Sequence, residues 1–482
     1  MAENNEVANY VAIDRASALV LIRQRLITSS DFNHIINAVA LIERESESSR
    51  SNGFSDYLYY QKRAIEIAGP TYGNVHVGRS RQDILITCQR MNLRRAIVQL
   101  FGEVVGLRDD LLNFAATKCD LIVPSFTNGV QAQVTTPAHT FLGYERSFQR
   151  ITQRLCEALE RVNTCPLGSA ALAGTSIPVD RRVLARLLGF SKETANTFDG
   201  AQVSSIDVDL ELMGIFETVA MVIGMITQDI HSQYQNPHPW YILDAPDLTQ
   251  PSTLMPQKRN PVALNHVRMK SSRTIGHCQV VRSLHHNVQT GLTDHKRGDS
   301  WIAAIQTLDL VEHFRKVVQN LNFVPGAAMD MVNSEYSAAS EIANTLYIVS
   351  GIPFRKGHDF TSKLVDYCRR ESVLFHELTL EEIDNIYRGA ESNSARSTFP
   401  LTIEQFRETV DPRHLINNYA VIGGAAPQET NRQLRAARRE LSNDHSTVST
   451  FLHMEEKWPD QLLREVDTEL SIAATQIPGD QV

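Results

Sequence analysis

Apolar residues recur at every third or fourth position over long stretches of this chain, the period of an amphipathic helix rather than the two-residue alternation of a half-buried strand. Leu93, Ile97, Leu100, Val104, Leu107, Leu111 and Phe114 form one stripe, and Tyr144, Phe148, Ile151, Leu155, Leu159 and Val162 a second. A third runs through Trp301, Ile305, Leu308, Val311, Phe314, Val318 and Leu321 and is stopped by Pro325-Gly326. Each predicts a helix of about 20 to 25 residues, roughly 30 to 37 Å long. Between Leu210 and Ile230 the apolar groups spread over most of the circumference, so this helix needs neighbours on every side. That places it in the middle of a bundle, with the expectation that Phe216, Val219 and Ile223 are buried between copies of the chain. Its most apolar run, Gly214 to Ile226, is about 13 residues and contains Glu217, short of the roughly 20 that a membrane span requires.

Breaks rich in Gly, Pro, Ser and Thr near 68–80, 120–137, 164–178, 236–262 and 323–335 divide the pattern. The predicted organisation is an N-terminal helical domain over 1–76, a central long-helix bundle over 77–330, a C-terminal helical domain over 331–445 and an acidic amphipathic extension over 446–482. In the extension, Phe451, Trp458, Leu462 and Val466 share one side. The fold class is all-α.

Composition narrows the function. A chain of 482 residues that is 42% hydrophobic can bury a large core without staples. Its 47 basic against 55 acidic residues leave a net charge of −8, which repels nucleic acid and anionic lipid. The six cysteines are far apart, with no CxxC pair and no histidine at ligand spacing, which argues against disulfides and structural zinc. No Walker loop, GxGxxG or repeat appears, so nucleotide cofactors lose support. The start, MAENNEVANY, lacks the apolar core of a secretory signal. The expectation is a soluble cytoplasmic protein with no structural zinc or nucleotide cofactor and no nucleic-acid or membrane partner.

Four polar loops at the ends of the predicted long helices hold carboxylate-binding side chains. The first, Val77 to Asp83, supplies two guanidiniums, a hydroxyl and an amide ahead of a helix N-terminus, which favours anions; by itself it also reads as a solvated turn with a capping serine. The second, Pro124 to Gln133, offers a hydroxyl and amides and in isolation would be helix-capping chemistry. The third, Gln250 to Pro261, has three prolines around Ser252, Lys258 and Asn260 and cannot be helical throughout, so a mobile active-site loop best explains Leu254 and Met255 in polar company. The fourth, Thr293 to Asp299, reads on composition as a charged turn.

The run Ser252-Thr253-Leu254-Met255-Pro256-Gln257-Lys258-Arg259-Asn260-Pro261 resembles the signature loop of the fumarase/aspartase superfamily, in the form used by its argininosuccinate lyase branch. His76 to Asp83 is similar to that branch's HTGRSRND segment, and Cys165 to Thr175 to its SPLGxGALAGT turn. The similarity in order and spacing extends from roughly Ala12 to Leu441. The resemblance implies three helical domains, a homotetramer whose active sites draw loops from three subunits, and anti β-elimination from a succinyl compound to give fumarate, with no metal or organic cofactor. It implies Ser252 as catalytic base, Lys258 and Asn260 on the carboxylate that takes up charge, Ser80, Arg81 and Thr127 orienting a dicarboxylate substrate, Gln82 and Asn128 on its leaving-group side, and Lys296 near it.

Departures from the family pattern bear on the substrate. Asn128 stands where the branch has the His of its THLQ motif, and Asn265 where it has the Glu of NPDxxE. Both members of a His–Glu acid/base pair are therefore amides, which cannot titrate near neutral pH. Gln82, Leu58, Val288 and Thr293 also replace family residues that handle an arginine-like group. The expectation is a C–N lyase acting on an N-substituted aspartate other than argininosuccinate. The alternatives are an authentic argininosuccinate lyase or a non-catalytic, crystallin-like homologue. His266, beside Asn265, and His295, in the fourth loop, are the first histidines to consider as replacements for the lost acid.

Overall fold

A computed structural model describes residues 6–48, 56–292, 299–390 and 398–475. The N-terminal helices α1 (Glu6–Arg23), α2 (Ser29–Ser48) and α3 (Tyr57–Ala68) pack around buried tyrosines. The Tyr60 hydroxyl donates to the buried Asp14 carboxylate at 2.9 Å, and Tyr72 donates to the same oxygen. Asp14 also pairs with Arg79 at 2.8 Å, so this small core is welded to the segment that opens the next helix.

That helix, α4 (Arg81–Ala116), is 36 residues long, well beyond the stripe that predicted it, because Ser80 and Asp83 form a capping box whose N-cap lies more than three turns upstream of the first stripe residue. A hairpin of β1 (Val123–Thr127) and β2 (Val130–Thr135) follows, then α5 (Pro137–Val162), whose N-cap is Thr136 with proline at the first position. The short parallel pair β3 (Thr164–Cys165) and β4 (Lys192–Glu193) flanks α6 (Arg181–Leu187) and leads into α7 (Ser204–Ser232). Then come β5 (Tyr241–Leu243), the paired β6 (Gln250–Pro251) and β7 (Arg259–Asn260), α8 (Val262–Leu284), α9 (Asp299–Gln319) and β8 (Leu321–Phe323). The architecture is all-α, as the periodicity predicts, and among the described residues strands occur only in four two-stranded pairs.

Ion pairs and hydrogen bonds fix helix directions in the bundle. Arg90 donates to Arg161 O at 3.2 Å and to Ser204 O at 2.6 Å, so the start of α4 meets the end of α5 and the start of α7. Arg282 of α8 reaches Glu217 of α7 at 2.9 Å, and Arg315 of α9 reaches Asp110 of α4 at 2.8 Å. Helices α4, α7 and α9 therefore run one way and α5 and α8 the other. Gly106 admits the Arg315 guanidinium, since a β-carbon there would lie 2.5 Å from its Cζ. Asp209, fully buried, accepts from Gln89 at 3.0 Å and from Ser300 at 2.5 Å, tying α4, α7 and α9 together at one end.

Two expectations change. Pro325 does not stop the third helix: α9 ends at Gln319, Leu321–Phe323 pairs with β5, and Pro325 opens α10 (Pro325–Asn333), because proline suits a first helical position. Phe216, Val219 and Ile223 are buried within the protomer, where α5, α8 and α9 surround α7. A bundle of five helices is thick enough to enclose its middle member without a second copy. The apolar groups that α7 leaves outside are Met221 and Met225, 58% and 51% exposed. Among the described residues the segment Asp199–Gln235 is also the one long and apolar enough to cross a membrane, because its flanks lengthen the apolar run; half of its apolar window is buried in the bundle.

The C-terminal helices α11 (Ala339–Ser350), α12 (Phe354–Glu371), α13 (Leu380–Ala390), α14 (Ile403–Val410) and α15 (Pro412–Asn418) share a separate core with Ile122 and Val134 of the hairpin region. From there α16 (Pro427–Thr475) runs back along the whole molecule. It pairs with the bundle through Arg108–Asp444, then buries Trp458, Leu462 and Val466 in the N-terminal core and bonds Glu465 to Arg23 at 2.7 Å. Trp458 lies against Gly189, where a β-carbon would come within 2.5 Å of its ring. Trp458→Ala is expected to destabilise the protein by about 3 kcal/mol, read as a lower melting temperature; an unchanged melt would show that α16 does not brace the N-terminal core.

Candidate active site

The hairpin β6–β7 presents the proposed base. Its ladder is short, but Ser252 N donates to Lys258 O at 3.2 Å and Lys258 N to Met255 O at 3.0 Å, closing the loop between the strands. Asn260 Nδ2 donates to Gln250 O at 3.2 Å across its base. The Ser252 hydroxyl oxygen accepts from two backbone N–H groups, Met255 at 3.0 Å and Leu254 at 3.3 Å. Two donors aimed at a hydroxyl oxygen favour its ionised form, the property that a serine base requires. The loop is otherwise uncovered in the protomer: Lys258 and Thr253 are exposed and Leu254 is 84% exposed.

Thr127 and Asn128 sit at the tip of the β1–β2 hairpin, where the sequence reading placed capping chemistry in a loop. Asn128 and Gly129 both have positive φ, 53° and 76°, and Thr127 pairs with Val130. This is the geometry of a two-residue primed turn, for which Asn-Gly is the strongest short-range signal. Gln131 Nε2 bonds Ser337 Oγ at 2.6 Å and Phe126 stacks on Trp240 at 6.2 Å, so the hairpin is anchored on two sides while its tip stays exposed. Beside it a cleft of about 520 Å³ is lined by Tyr144, Asp229, Trp240 and neighbours, but not by Ser252, Lys258, Ser80 or Arg81. Asn265 and His266 are exposed in the first turn of α8.

Ser80, Arg81 and Gln82 lie at the start of α4. Ser80 is its N-cap, its Oγ accepting Gln82 N at 3.3 Å; Arg81 is exposed; Gln82 Nε2 donates to Gly291 O at 3.2 Å. Arg79, expected as a second substrate guanidinium, is instead spent on buried Asp14, a partner 65 positions away that no local pattern reveals. Asp83, unassigned in the sequence reading, is fully buried and binds three backbone N–H groups. The spacing Ser80-x-x-Asp83 carried half of that signal, as a capping box. Lys296, with Thr293 and His295, lies outside the described residues.

The candidate residues thus fall into two groups. Thr127, Asn128, Ser252, Lys258 and Asn260 lie where α4 and α7 end and α5 and α8 begin; Ser80, Arg81 and Gln82 lie where α4 begins. The 36 residues of α4 separate the groups by roughly 54 Å. One protomer cannot bring them onto one small molecule.

The fold is a five-helix antiparallel core with polar loops at both ends, one of them holding the Ser252 hydroxyl on two backbone N–H groups, and its relatives are enzymes of the lyase class. The Lyase family profile matches residues 31–276 and the Argininosuccinate lyase C-terminal profile residues 336–417, and the chain belongs to this family, in the argininosuccinate lyase branch of the fumarase/aspartase superfamily. It is 28% identical over 470 residues to the argininosuccinate lyase of Methanococcoides burtonii, covering 95% of this chain and 92% of that one. The structure of an EDDS lyase variant with bound fumarate superposes with a TM-score of 0.89 at 20% identity, over 98% of this chain and 94% of that one. A class II fumarase from Schistosoma mansoni gives 0.69 at 16% identity, over 85% of this chain and 90% of that one.

Proposed function

We propose that this protein is a carbon–nitrogen lyase that eliminates a nitrogen group from an N-substituted aspartate to give fumarate. The observation that carries the reading is the Ser252 hydroxyl, held by the N–H groups of Leu254 and Met255 on the same short hairpin as Lys258 and Asn260. The reaction removes a weakly acidic proton beside a carboxylate, so the dianionic intermediate needs cations and donors at that carboxylate. Ser252 takes the proton, Lys258 and Asn260 hold the carboxylate that gains charge, and Arg81, Ser80 and Thr127 orient the substrate. The C–N bond then breaks and nitrogen leaves with the electron pair. Both the argininosuccinate lyase relatives and the fumarate-bound neighbour support this chemistry. The unpaired cysteines accord with the cytoplasm, where we place it.

A second feature concerns the leaving group. A basic amine departs well only when protonated, whereas a weakly basic nitrogen needs little or no acid. Asn128 and Asn265 cannot supply a proton, so the natural substrate carries a weakly basic nitrogen, such as an amide-like, ureido, hydroxylated or nitro group. The test follows fumarate absorbance with succinyl compounds of graded leaving-group basicity. The native enzyme is expected to favour weakly basic groups, and the Asn128→His, Asn265→Glu double variant to gain most on basic ones. A native preference for argininosuccinate, with no selectivity against basic groups, would mean that another residue donates the proton.

The separation of the two residue groups calls for copies of the chain to pack side by side, antiparallel, which sets the Ser252 hairpin of one against the Arg81 loop of another. We propose a homotetramer assembled in this way, and the exposed Met221, Met225, Leu254 and Met255 supply apolar surface for it.

A further inference from the structure

Ser80 and Arg81 stand between two buried charges. On one side Arg79 Nη1 is held by Asp14 at 2.8 Å and by Ser17 Oγ at 2.9 Å. On the other, Asp83 Oδ1 accepts Ser80 N at 2.9 Å, while its Oδ2 accepts both Gly168 N and Ala170 N at 3.0 Å. Those last two donors belong to the turn after β3, where Gly168 and Ala170 are left-handed with φ of 84° and 52°. Alanine rarely adopts that conformation and keeps it only where its surroundings over-determine it. The same turn is tied back to the substrate loop by a second route: Gln202 Nε2 donates to Ala171 O at 3.1 Å, Gly291 N donates to Gln202 Oε1 at 2.9 Å, and Gln82 Nε2 donates to Gly291 O at 3.2 Å. The contacts close a ring that begins at Asp83 and ends at its neighbour Gln82.

We propose that Asp83 is a positioning residue that clips the left-handed Gly168–Ala170 turn to the start of α4 and so sets how tightly Ser80 and Arg81 hold the substrate carboxylate. The role in affinity rests on the reading of Ser80 and Arg81 given above; the clip itself does not. Three N–H donors occupy three of the roughly four lone-pair positions of the carboxylate, and the fourth, on Oδ1, is where a proton goes. The protonated Oδ1 is a hydroxyl oxygen, a far weaker acceptor than a carboxylate oxygen, so protonation weakens the bond from Ser80 N while Oδ2 keeps Gly168 N and Ala170 N. That bond fixes the N-cap, so the substrate loop loosens while the turn stays bound.

Burial pushes the Asp83 carboxyl up to about 6, against the pull of the Ser80, Gly168 and Ala170 N–H groups and of Arg79. The other titratable groups facing it are Tyr57 and Cys165, and burial raises both well clear of neutrality. His76, bonded to Tyr57 at 2.8 Å, is pushed by burial down to about 4 and stays neutral above that. Asp83 is therefore the group in this cluster that titrates near pH 6, and its ionised form is the one that holds Ser80.

The experiment compares wild type, Asp83→Asn and Asp83→Glu from about pH 7.5 to about pH 5. Asparagine reproduces the neutral carboxyl, so its KM should be about tenfold above wild type at neutral pH, the scale of one lost hydrogen bond to a charged group, with kcat little changed. The wild-type KM should climb towards the Asp83→Asn value as pH falls through about 6, the variant staying level, and Asp83→Glu should restore part of the affinity and the pH dependence. Hydrogen exchange supplies a readout that needs no turnover: after correction for intrinsic rates, the peptide spanning Ser80 should exchange faster in Asp83→Asn, and in wild type below about pH 6. Equal KM values for wild type and Asp83→Asn at neutral pH, a variant profile parallel to that of wild type, or unchanged exchange would overturn the proposal. If Asp83→Asn does not fold, the wild-type and Asp83→Glu exchange series decides it. If wild type eliminates from no succinyl compound, the proposed function fails while the exchange result still judges the clip.

Discussion

Ser252→Ala is expected to cut turnover by about a thousandfold, within the range for loss of a general base, while KM, melting temperature and assembly stay close to wild type. The hydroxyl makes its two contacts inside an exposed loop, with the N–H groups of Leu254 and Met255, and touches none of the three cores. Removing it leaves those donors to water, so little stability is at stake. The loss should therefore appear in kcat alone. A steady-state assay with the best substrate of the graded series, beside a thermal melt, checks both halves. Wild-type turnover in Ser252→Ala would remove the base assignment and direct attention to another group on the hairpin.

Mixing two inactive proteins should restore activity. Ser252 and Arg81 lie at opposite ends of a bundle whose α4 has 36 residues, so an active site that uses both, as proposed, takes them from different protomers. Arg81→Ala should lose at least a hundredfold in kcat/KM, because a guanidinium on a substrate carboxylate is a strong charge-assisted contact. Ser252→Ala is inactive for the reason above. When the two are unfolded or dissociated together and allowed to reassociate, random assembly puts an intact Ser252 and an intact Arg81 at about a quarter of the sites, and activity should recover to about that fraction of wild type. Light scattering should give roughly 216 kDa, four copies of the 54.1 kDa chain. No recovery in verified mixed assemblies, or a monomer at micromolar concentration, would mean that one protomer builds the site alone.

Several features needed nothing beyond the sequence. The stripes from Leu93 and Tyr144 lie on α4 and α5, and that from Trp301 lies on α9 as far as Val318, because a 3.6-residue period is a local property that any long helix against a core must display. The Asn128-Gly129 turn and the Ser80-x-x-Asp83 capping box were equally local, and both are written in residue types that suit those backbone positions. The polar, proline-broken loop around Ser252 was legible for the same reason, since its side chains make no sense in a helix.

Other features depended on where the chain returns. Nothing near Arg79 announces that Asp14 will consume its charge, and nothing near Asp83 announces the Gly168–Ala170 turn, because both contacts join segments scores of residues apart. The apolar circumference of α7 is the same whether its neighbours are α5, α8 and α9 or a second copy; only the packed bundle buries Phe216 inside and leaves Met221 outside. The amphipathic face of Trp458, Leu462 and Val466 likewise had no visible partner until α16 carried it back to the N-terminal core. Periodicity and capping are settled within a few turns of the chain, so the sequence determined the helices and the residue types in the loops. Helix direction and length are what place Ser252 and Arg81 at opposite ends of the bundle, and that distance exists only in the tertiary structure.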